Sequence, residues 1–360
     1  MRIVIAPDKY AGTLTAREAA TAIATGWIRR APGDQVDPAP MSDGGPGFVD
    51  TLHAALGGRL EAVTVRGPLG APTPATLLLV GGTAYVETAQ ACGLALTGGD
   101  GARRATTYGV GELLLAALDA GAREVVLGLG GSGTTDGGAG LLAALGATAD
   151  RPLAAGPEGL AGITRLDLAP ALERLRSTSL VAASDVDNPL TGLFGAAKVF
   201  GPQKGLTEDE LPAVDGALQD LAAATDRKAA AEKGAGAAGG LGFALALLGA
   251  RRRPGLDVVA DATGLGDRIA AADLVVTGEG AFDVTSRGGK VPAGVARLAG
   301  EHARPCIVLA GRVEVGNREM RALGVESAYA MVDRAGERAM AEPVEVLEEL
   351  AAHVAGQWSR

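Results

Sequence analysis

Apolar residues fall along this chain in short runs of three to six, each followed by a polar, glycine-bearing loop and then by a helical repeat. Ile3-Val4-Ile5-Ala6 predicts a buried strand, and Pro7-Asp8-Lys9-Tyr10-Ala11-Gly12 its loop. Thr15-Ala16-Arg17-Glu18 is a capping box that opens a helix to about Arg30, and Pro32-Gly33-Asp34 closes it. Gln35 to Ala39 predicts a second strand and Met41-Ser42-Asp43-Gly44-Gly45 its loop. A helix follows from Pro46 to Leu56, stopped by Gly57-Gly58. Strand, loop and helix in repetition is the rhythm of a parallel sheet. Such sheets bind ligands beyond the carboxyl ends of their strands.

The rhythm changes at Leu60. Leu60–Val65, Ala75–Val80 and Thr83–Val86 read as strands joined by turns, so antiparallel hairpins are expected, with a domain boundary near Pro68 to Pro74. A helix is expected from about Tyr108 to Ala120. The run Val125-Val126-Leu127 then predicts a strand that feeds the glycine-rich stretch Gly128 to Gly138, and Ala139 to Leu145 a helix ended by Gly146. Thr148 to Pro152 reads as a turn. Leu180–Ala183 predicts a strand running into Ser184-Asp185-Val186-Asp187-Asn188-Pro189-Leu190. Phe200 to Gly205 reads as a loop before a helix of about 20 residues, and Gly234 to Gly240 as a break between helices. From Asp273 the first rhythm returns. Leu274-Val275-Val276 is a predicted strand, and Thr277-Gly278-Glu279-Gly280 begins a loop that continues through Asp283 to Lys290. A helix from Pro292, a strand at Cys306–Leu309 and a helix from about Glu342 to Trp358 complete the pattern.

Composition narrows the function classes. The chain has 360 residues, room for two domains, and is 47% hydrophobic. Aromatics are 3% and the net charge is −9, which argues against nucleic-acid binding. No 18-residue apolar stretch or signal peptide is read, and a cytoplasmic protein is expected. Cys92 and Cys306 are too few for a disulfide framework or a zinc site. His53, His302 and His353 lie in helix-like segments, so carboxylates must carry any proton transfer.

The glycine stretch is the strongest local signal. A strand, a glycine-rich loop and a helix in sequence predict an anion cradle, with backbone N–H groups converging on the ligand. Gly128, Gly130 and Gly133 match G-x-G-x-x-G, yet no second strand ending in an acid follows, and with 55 glycines such matches arise by chance. A nicotinamide-dependent oxidoreductase acting on a hydroxy acid is therefore the runner-up enzyme class. Only six of the 33 basic residues are lysines, and Lys9, Lys204 and Lys290 sit in glycine-containing loops. Together with Asp8, Asp43, Asp136, Asp185, Glu279 and Asp283 they form the inventory that phosphoryl transfer needs.

Seven segments in order identify the chain as similar to the bacterial class I glycerate kinase family. They are Ala6–Tyr10 with Gly12–Ala16, Ser42–Gly45, Gly128–Gly138, Asp185–Leu190, Phe200–Gly205, Gly234–Gly242 and Thr277–Lys290. The resemblance implies an α/β fold: a flavodoxin-like domain (1–70 plus 272–360) with a restriction-endonuclease-like α/β domain (71–271) inserted in it, and the active-site cleft between them. It implies ATP and Mg²⁺ as cofactors, D-glycerate as substrate and 2-phosphoglycerate as the expected product, with a homodimer as a compatible assembly. Asp185, Asp283 and Lys290 are the expected catalytic residues, with Asp185 and Asp283 as metal-ligand or general-base candidates. Lys9, Ser42, Asp43, Gly130, Gly131, Ser132, Thr135, Asp136, Asn188, Gln203, Lys204 and Glu279 are the expected substrate and phosphate contacts. Many members differ at three positions, with lysine where this chain has Ala11, an acid where it has Pro46 and glutamine where it has Thr285. A non-enzyme that kept the fold and binds the acid without turnover is the third reading.

Overall fold

A computed structural model describes residues 1–10, 12–283 and 290–359. Ala11 and Thr285, where the chain departs from the family pattern, lie outside the described residues. Two compact units emerge: Met1–Asp43, Asp50–Leu56 and Pro254–Arg360 form the first, and Gly44–Val49 and Gly57–Arg253 the second.

The first unit is built on a five-stranded, all-parallel sheet. From one edge its strands are Ser327–Ala330, Cys306–Val313, Leu274–Phe282, Arg2–Ile5 and Gln35–Pro38. Numbered within this sheet, the order is 2-1-3-4-5, the flavodoxin-like arrangement, whose switch point lies between the first and third strands. Ile3, Val4, Ile5, Leu274, Val275 and Val276 are all fully buried, as expected for strands covered on both faces. The helices Ala16–Arg30 and Pro343–Trp358 pack closely, and a Cβ at Gly26 would collide with the Glu348 backbone. The capping box at Thr15 and Glu18 is formed as the sequence predicts.

The second unit carries a six-stranded mixed sheet. Its order is Arg251–Arg253, Ser179–Ala183, Glu124–Gly128, Thr83–Glu87, Pro72–Val80 and Arg59–Arg66. The first four are parallel and the last two are added antiparallel, which is the hairpin pattern read from the sequence. A large core, mainly of alanine, leucine and valine, lies in this unit.

Several elements differ from their sequence expectation. The sequence reading places residues 59–70 in the outer domain, but Arg59–Arg66 pairs along its whole length with Pro72–Val80 in the second unit. At the other end, the helix Gly255–Thr263 lies in the first unit, where Asp257 bonds Arg297 at 2.6 Å. Thr277, Gly278 and Glu279 are not loop residues. The strand runs on to Phe282 because Cys306–Val313 offers partners for all three, Val308, Leu309 and Ala310. The long helix after Gly205 is instead Leu211–Ala224 followed by the short Arg227–Ala231. Asp226 starts the second helix by accepting from the Lys228 and Ala229 N–H groups. Thr148–Ala149 forms a small bridge with Leu166–Asp167 rather than a turn. The break at Gly234 to Gly240 is as read, with positive φ at Gly234, Ala238, Gly239 and Gly240.

Candidate active site

In the first unit, the candidate residues gather at the carboxyl ends of the strands flanking the switch point. The chain leaving Arg2–Ile5 keeps its pairing with the neighbouring strand. Ala6 N–H donates to the Val276 carbonyl at 2.7 Å, and Asp8 N–H to the Gly278 carbonyl at 2.8 Å. A turn follows, closed by mutual backbone bonds of Tyr10 and Leu14 and pinned by the Tyr10 hydroxyl, which donates to the Leu309 carbonyl at 2.5 Å. This backbone path presses Asp8 inward until only 5% of it is exposed.

The Asp8 carboxylate accepts the Lys9 backbone N–H through Oδ1 at 2.7 Å, and the Lys9 ammonium lies 3.5 Å from the same oxygen. That ammonium also reaches Asp43 Oδ1 at 3.4 Å. Burial, and then the charge of Asp43, push the Asp8 carboxyl from its ordinary 3.8 up to about 6, against the pull of Lys9. Burial, and then the charges of Glu279 and Asp8, also raise the Tyr10 phenol well above its usual range. Ser42 is buried beside Asp43, which is half-buried. Glu279 is buried on its strand, and Lys290 Nζ stands 3.9 Å from its carboxylate. Lys290 itself precedes the helix Val291–Glu301, and Asp283 lies half-buried just past the strand end. Lys9, Asp43, Asp8, Glu279 and Lys290 thus make two lysine–carboxylate sets at one end of one sheet.

In the second unit, the strand Glu124–Gly128 feeds the glycine loop as the sequence predicts, but the electrostatics differ from an open cradle. Asp136 is fully enclosed. It accepts Gly138 N–H at 3.0 Å, Gly140 N–H at 3.2 Å, Thr107 N–H at 2.8 Å and the hydroxyls of Thr107 and Thr106 at 2.9 and 3.3 Å. The helix Ala139–Ala144 therefore spends its first N–H groups on an internal carboxylate. Asp136, expected among the substrate contacts, is the brace of the loop instead. Thr135 is likewise enclosed, and its hydroxyl has no hydrogen-bond partner among the described residues.

What the loop offers outward is its tip. Gly131 is exposed and Gly130 half-buried, with no room for side chains there: a Cβ at Gly130 would lie 2.5 Å from the Gly45 Cα. Beneath the tip, Lys204 is 2% exposed, its ammonium donating to Ser132 Oγ at 2.9 Å and to the Thr134 carbonyl at 2.8 Å. Burial lowers its pKa to about 8, although the charges of Cys92 and Asp136 oppose this.

Asp185 is half-buried on the loop after Ser179–Ala183, and Gln203 is exposed in the short turn Pro202–Lys204. Asn188 holds its own loop through a 2.9 Å bond from its side-chain amide to the Phe194 carbonyl, while Asp187 pairs with Lys233 and Arg252 at 3.0 and 2.6 Å. Sequence reasoning named Asp8 among the strand-end acids but gave it no role. Its signal was the strand-end position itself. Thr107 and Glu87 were missed altogether. Glu87 accepts the N–H groups of Gly47 and Val49 at 3.0 and 3.4 Å, just ahead of and inside the helix Phe48–Leu56, and no motif announces it.

Lysines and acids at strand ends, with a glycine loop over a buried ammonium, are the equipment of an α/β phosphotransferase. A model of the glycerate kinase family matches residues 3–359. The glycerate kinase of Bacillus subtilis is 39% identical over 99% of this chain and 97% of its own, and glycerate 2-kinase of Escherichia coli 37% identical over 93% and 92%. A solved crystal structure from Salmonella typhimurium LT2, described as a glycerate kinase 2, is similar with a TM-score of 0.82 at 38% identity, covering 99% of this chain and 98% of that one. The chain belongs to the glycerate kinase family. Among the described residues no helix is long and apolar enough to cross a membrane.

Proposed function

We propose that this protein transfers the γ-phosphoryl group of ATP to a hydroxyl of D-glycerate, giving 2-phosphoglycerate and ADP in the cytoplasm. The observation that carries the reading is full-length similarity to proteins named glycerate kinase, and to one named glycerate 2-kinase, in a chain whose lysines and acids stand at strand ends.

In this reading the tip Gly130–Gly131 lets phosphate oxygens approach the backbone, and the Lys204 ammonium under it supplies fixed positive potential. Lys290 and Lys9 balance the negative charge of the reactants from positions set by Glu279 and Asp43. The donor set suits Mg²⁺, because the loops at the strand ends carry hard carboxylate oxygens. Among the described residues no group of three or more His, Cys, Asp or Glu could form a closed metal cage. Mg²⁺ needs no such cage, since it is commonly held by one or two carboxylates plus substrate phosphates. Asp185 and Asp283 are the proposed carboxylates. When bound, the ion neutralises phosphate charge.

The test is incubation with D-glycerate, ATP and Mg²⁺, with the product isomer identified by phosphorus NMR. ADP formation with a 2-phosphoglycerate signal is expected. Only 3-phosphoglycerate would correct the position, and no ADP would refute the activity. Treatment with EDTA should abolish turnover and added Mg²⁺ restore it; full turnover in metal-free buffer would remove Asp185 and Asp283 as ligands.

A further inference from the structure

Asp8 has what a proton acceptor at this site needs. It lies at the carboxyl end of the first strand, on the switch point, where sheets of this order take their ligands. Its hydrogen bond and its ion pair both use Oδ1, and among the described residues Oδ2 accepts no hydrogen bond. We propose that Asp8 is the general base of the phosphoryl transfer, taking the proton of the attacked glycerate hydroxyl on Oδ2. This inference rests on the kinase reading above.

The step balances without any further reactant. The O–H bond of the alcohol breaks and its proton passes to Asp8. The oxygen's electron pair forms the new bond to the γ-phosphorus. The bond from that phosphorus to the bridging oxygen breaks, and ADP leaves with that pair. Asp8, now a neutral acid, returns the proton to solvent.

The neighbouring groups raise the basicity of Asp8. Among the described residues the charges acting on Asp8 are Lys9 from its own turn and Asp43 from the loop after the second strand, while the Tyr10 phenol next in that turn is acted on by both Asp8 and Glu279, whose carboxylate lies 3.9 Å from Lys290. Asp43 and Glu279 each answer a lysine, which keeps negative charge fixed in the site. Burial and Asp43 together leave Asp8 with a pKa of about 6. A carboxyl at that value is ionised at neutral pH and still basic enough to hold a proton in the transition state.

The experiment is the pH dependence of kcat for wild type, Asp8→Asn and Asp8→Glu, with KM for glycerate and ATP measured alongside. Wild-type kcat should fall on the acid side with an apparent pKa near 6. Asp8→Asn should lose about 10²–10⁴ in kcat, with little change in either KM and without the acid limb. Asp8→Glu should keep part of the activity and move the limb. A flat wild-type profile between pH 5 and 7, or an Asp8→Asn kcat within about tenfold of wild type, would overturn the assignment. The wild-type profile decides the matter even if Asp8→Asn does not fold. An absence of ADP at every pH would remove the kinase reading and this proposal together, whereas turnover without an acid limb would remove Asp8 alone.

Discussion

The ammonium of Lys204 lies 2.8 Å from the Thr134 carbonyl and 2.9 Å from the Ser132 hydroxyl, so a buried cation holds the underside of the glycine loop. Neither partner is a carboxylate, and burial lowers the lysine from 10.5 to about 8. The folded protein gives up this proton near pH 8 and the unfolded chain near 10.5, so the group's contribution to stability rises with pH across that window. Its positive charge is present only below about 8. The expected outcome is a kcat/KM for ATP that falls above about pH 8. Lys204→Met should lower that constant by about 10²–10³ at pH 7 and erase the alkaline limb. An unchanged limb in the variant would show that Lys204 does not supply the charge.

Asp136 is the second loop member with a specific expectation. Its carboxylate faces donors only: two hydroxyls and three backbone N–H groups. In Asp136→Asn, placing the amide oxygen toward Thr107 sets the NH₂ group against the Gly138 N–H. A donor is then left buried without an acceptor, at a cost of about 3 kcal/mol. The melting temperature should drop by roughly 5 °C. A melting point within about two degrees of wild type would mean that the loop does not depend on this brace.

These two residues also show what the sequence carries and what it hides. The glycine loop, the strand before it and the parallel rhythm of the first unit are legible, because apolar runs and glycine punctuation are local signals. The burial of Lys204 is not. Its sequence neighbours Gln203 and Gly205 are exposed, and only the fold brings Ser132 within hydrogen-bond reach of the ammonium. Asp136 was read as a ligand contact because it sits in a glycine loop, yet Thr106 and Thr107, some thirty residues earlier, enclose it. The strand end at Phe282 was missed for a similar reason. Thr277-Gly278-Glu279-Gly280 has loop composition, and its strand conformation comes from pairing with Cys306–Val313. Asp8 and Asp43 were placed correctly at strand ends, but their joint hold on Lys9 depends on two strands lying side by side.

Lys290 tests the charge balance of the first unit. Its ammonium stands 3.9 Å from Glu279, too long for a strong hydrogen bond, and its side chain is 36% exposed. Such a pair contributes little to stability. In Lys290→Met, kcat should fall by about 10²–10³, the loss expected for one preorganised donor to the transition state. The melting temperature should move by less than about two degrees. A fall in kcat below tenfold with the fold intact would exclude Lys290 from transition-state stabilisation, and a large loss of melting temperature would mark it as structural.

Asp8 should cost the protein stability at the pH where it works. Its pKa is raised from 3.8 to about 6 in the folded state, so the folded protein holds this proton more tightly than the unfolded chain does. The stability it contributes is fully present below pH 3.8 and is lost as the pH rises through about 6. That rise in pKa corresponds to roughly 3 kcal/mol, an upper figure for a carboxylate still paired with Lys9. Asp8→Asn removes the ionisation, and Lys9 keeps Asp43 at 3.4 Å as its partner. The variant should therefore melt several degrees above wild type at pH 8, while the difference shrinks toward zero near pH 4. Melting curves of both proteins at pH 4, 6 and 8 measure this directly. A variant less stable than wild type at pH 8 would mean that the pair with Lys9 outweighs the cost of burying the carboxylate. It would also remove the physical ground on which Asp8 is basic enough to accept the proton.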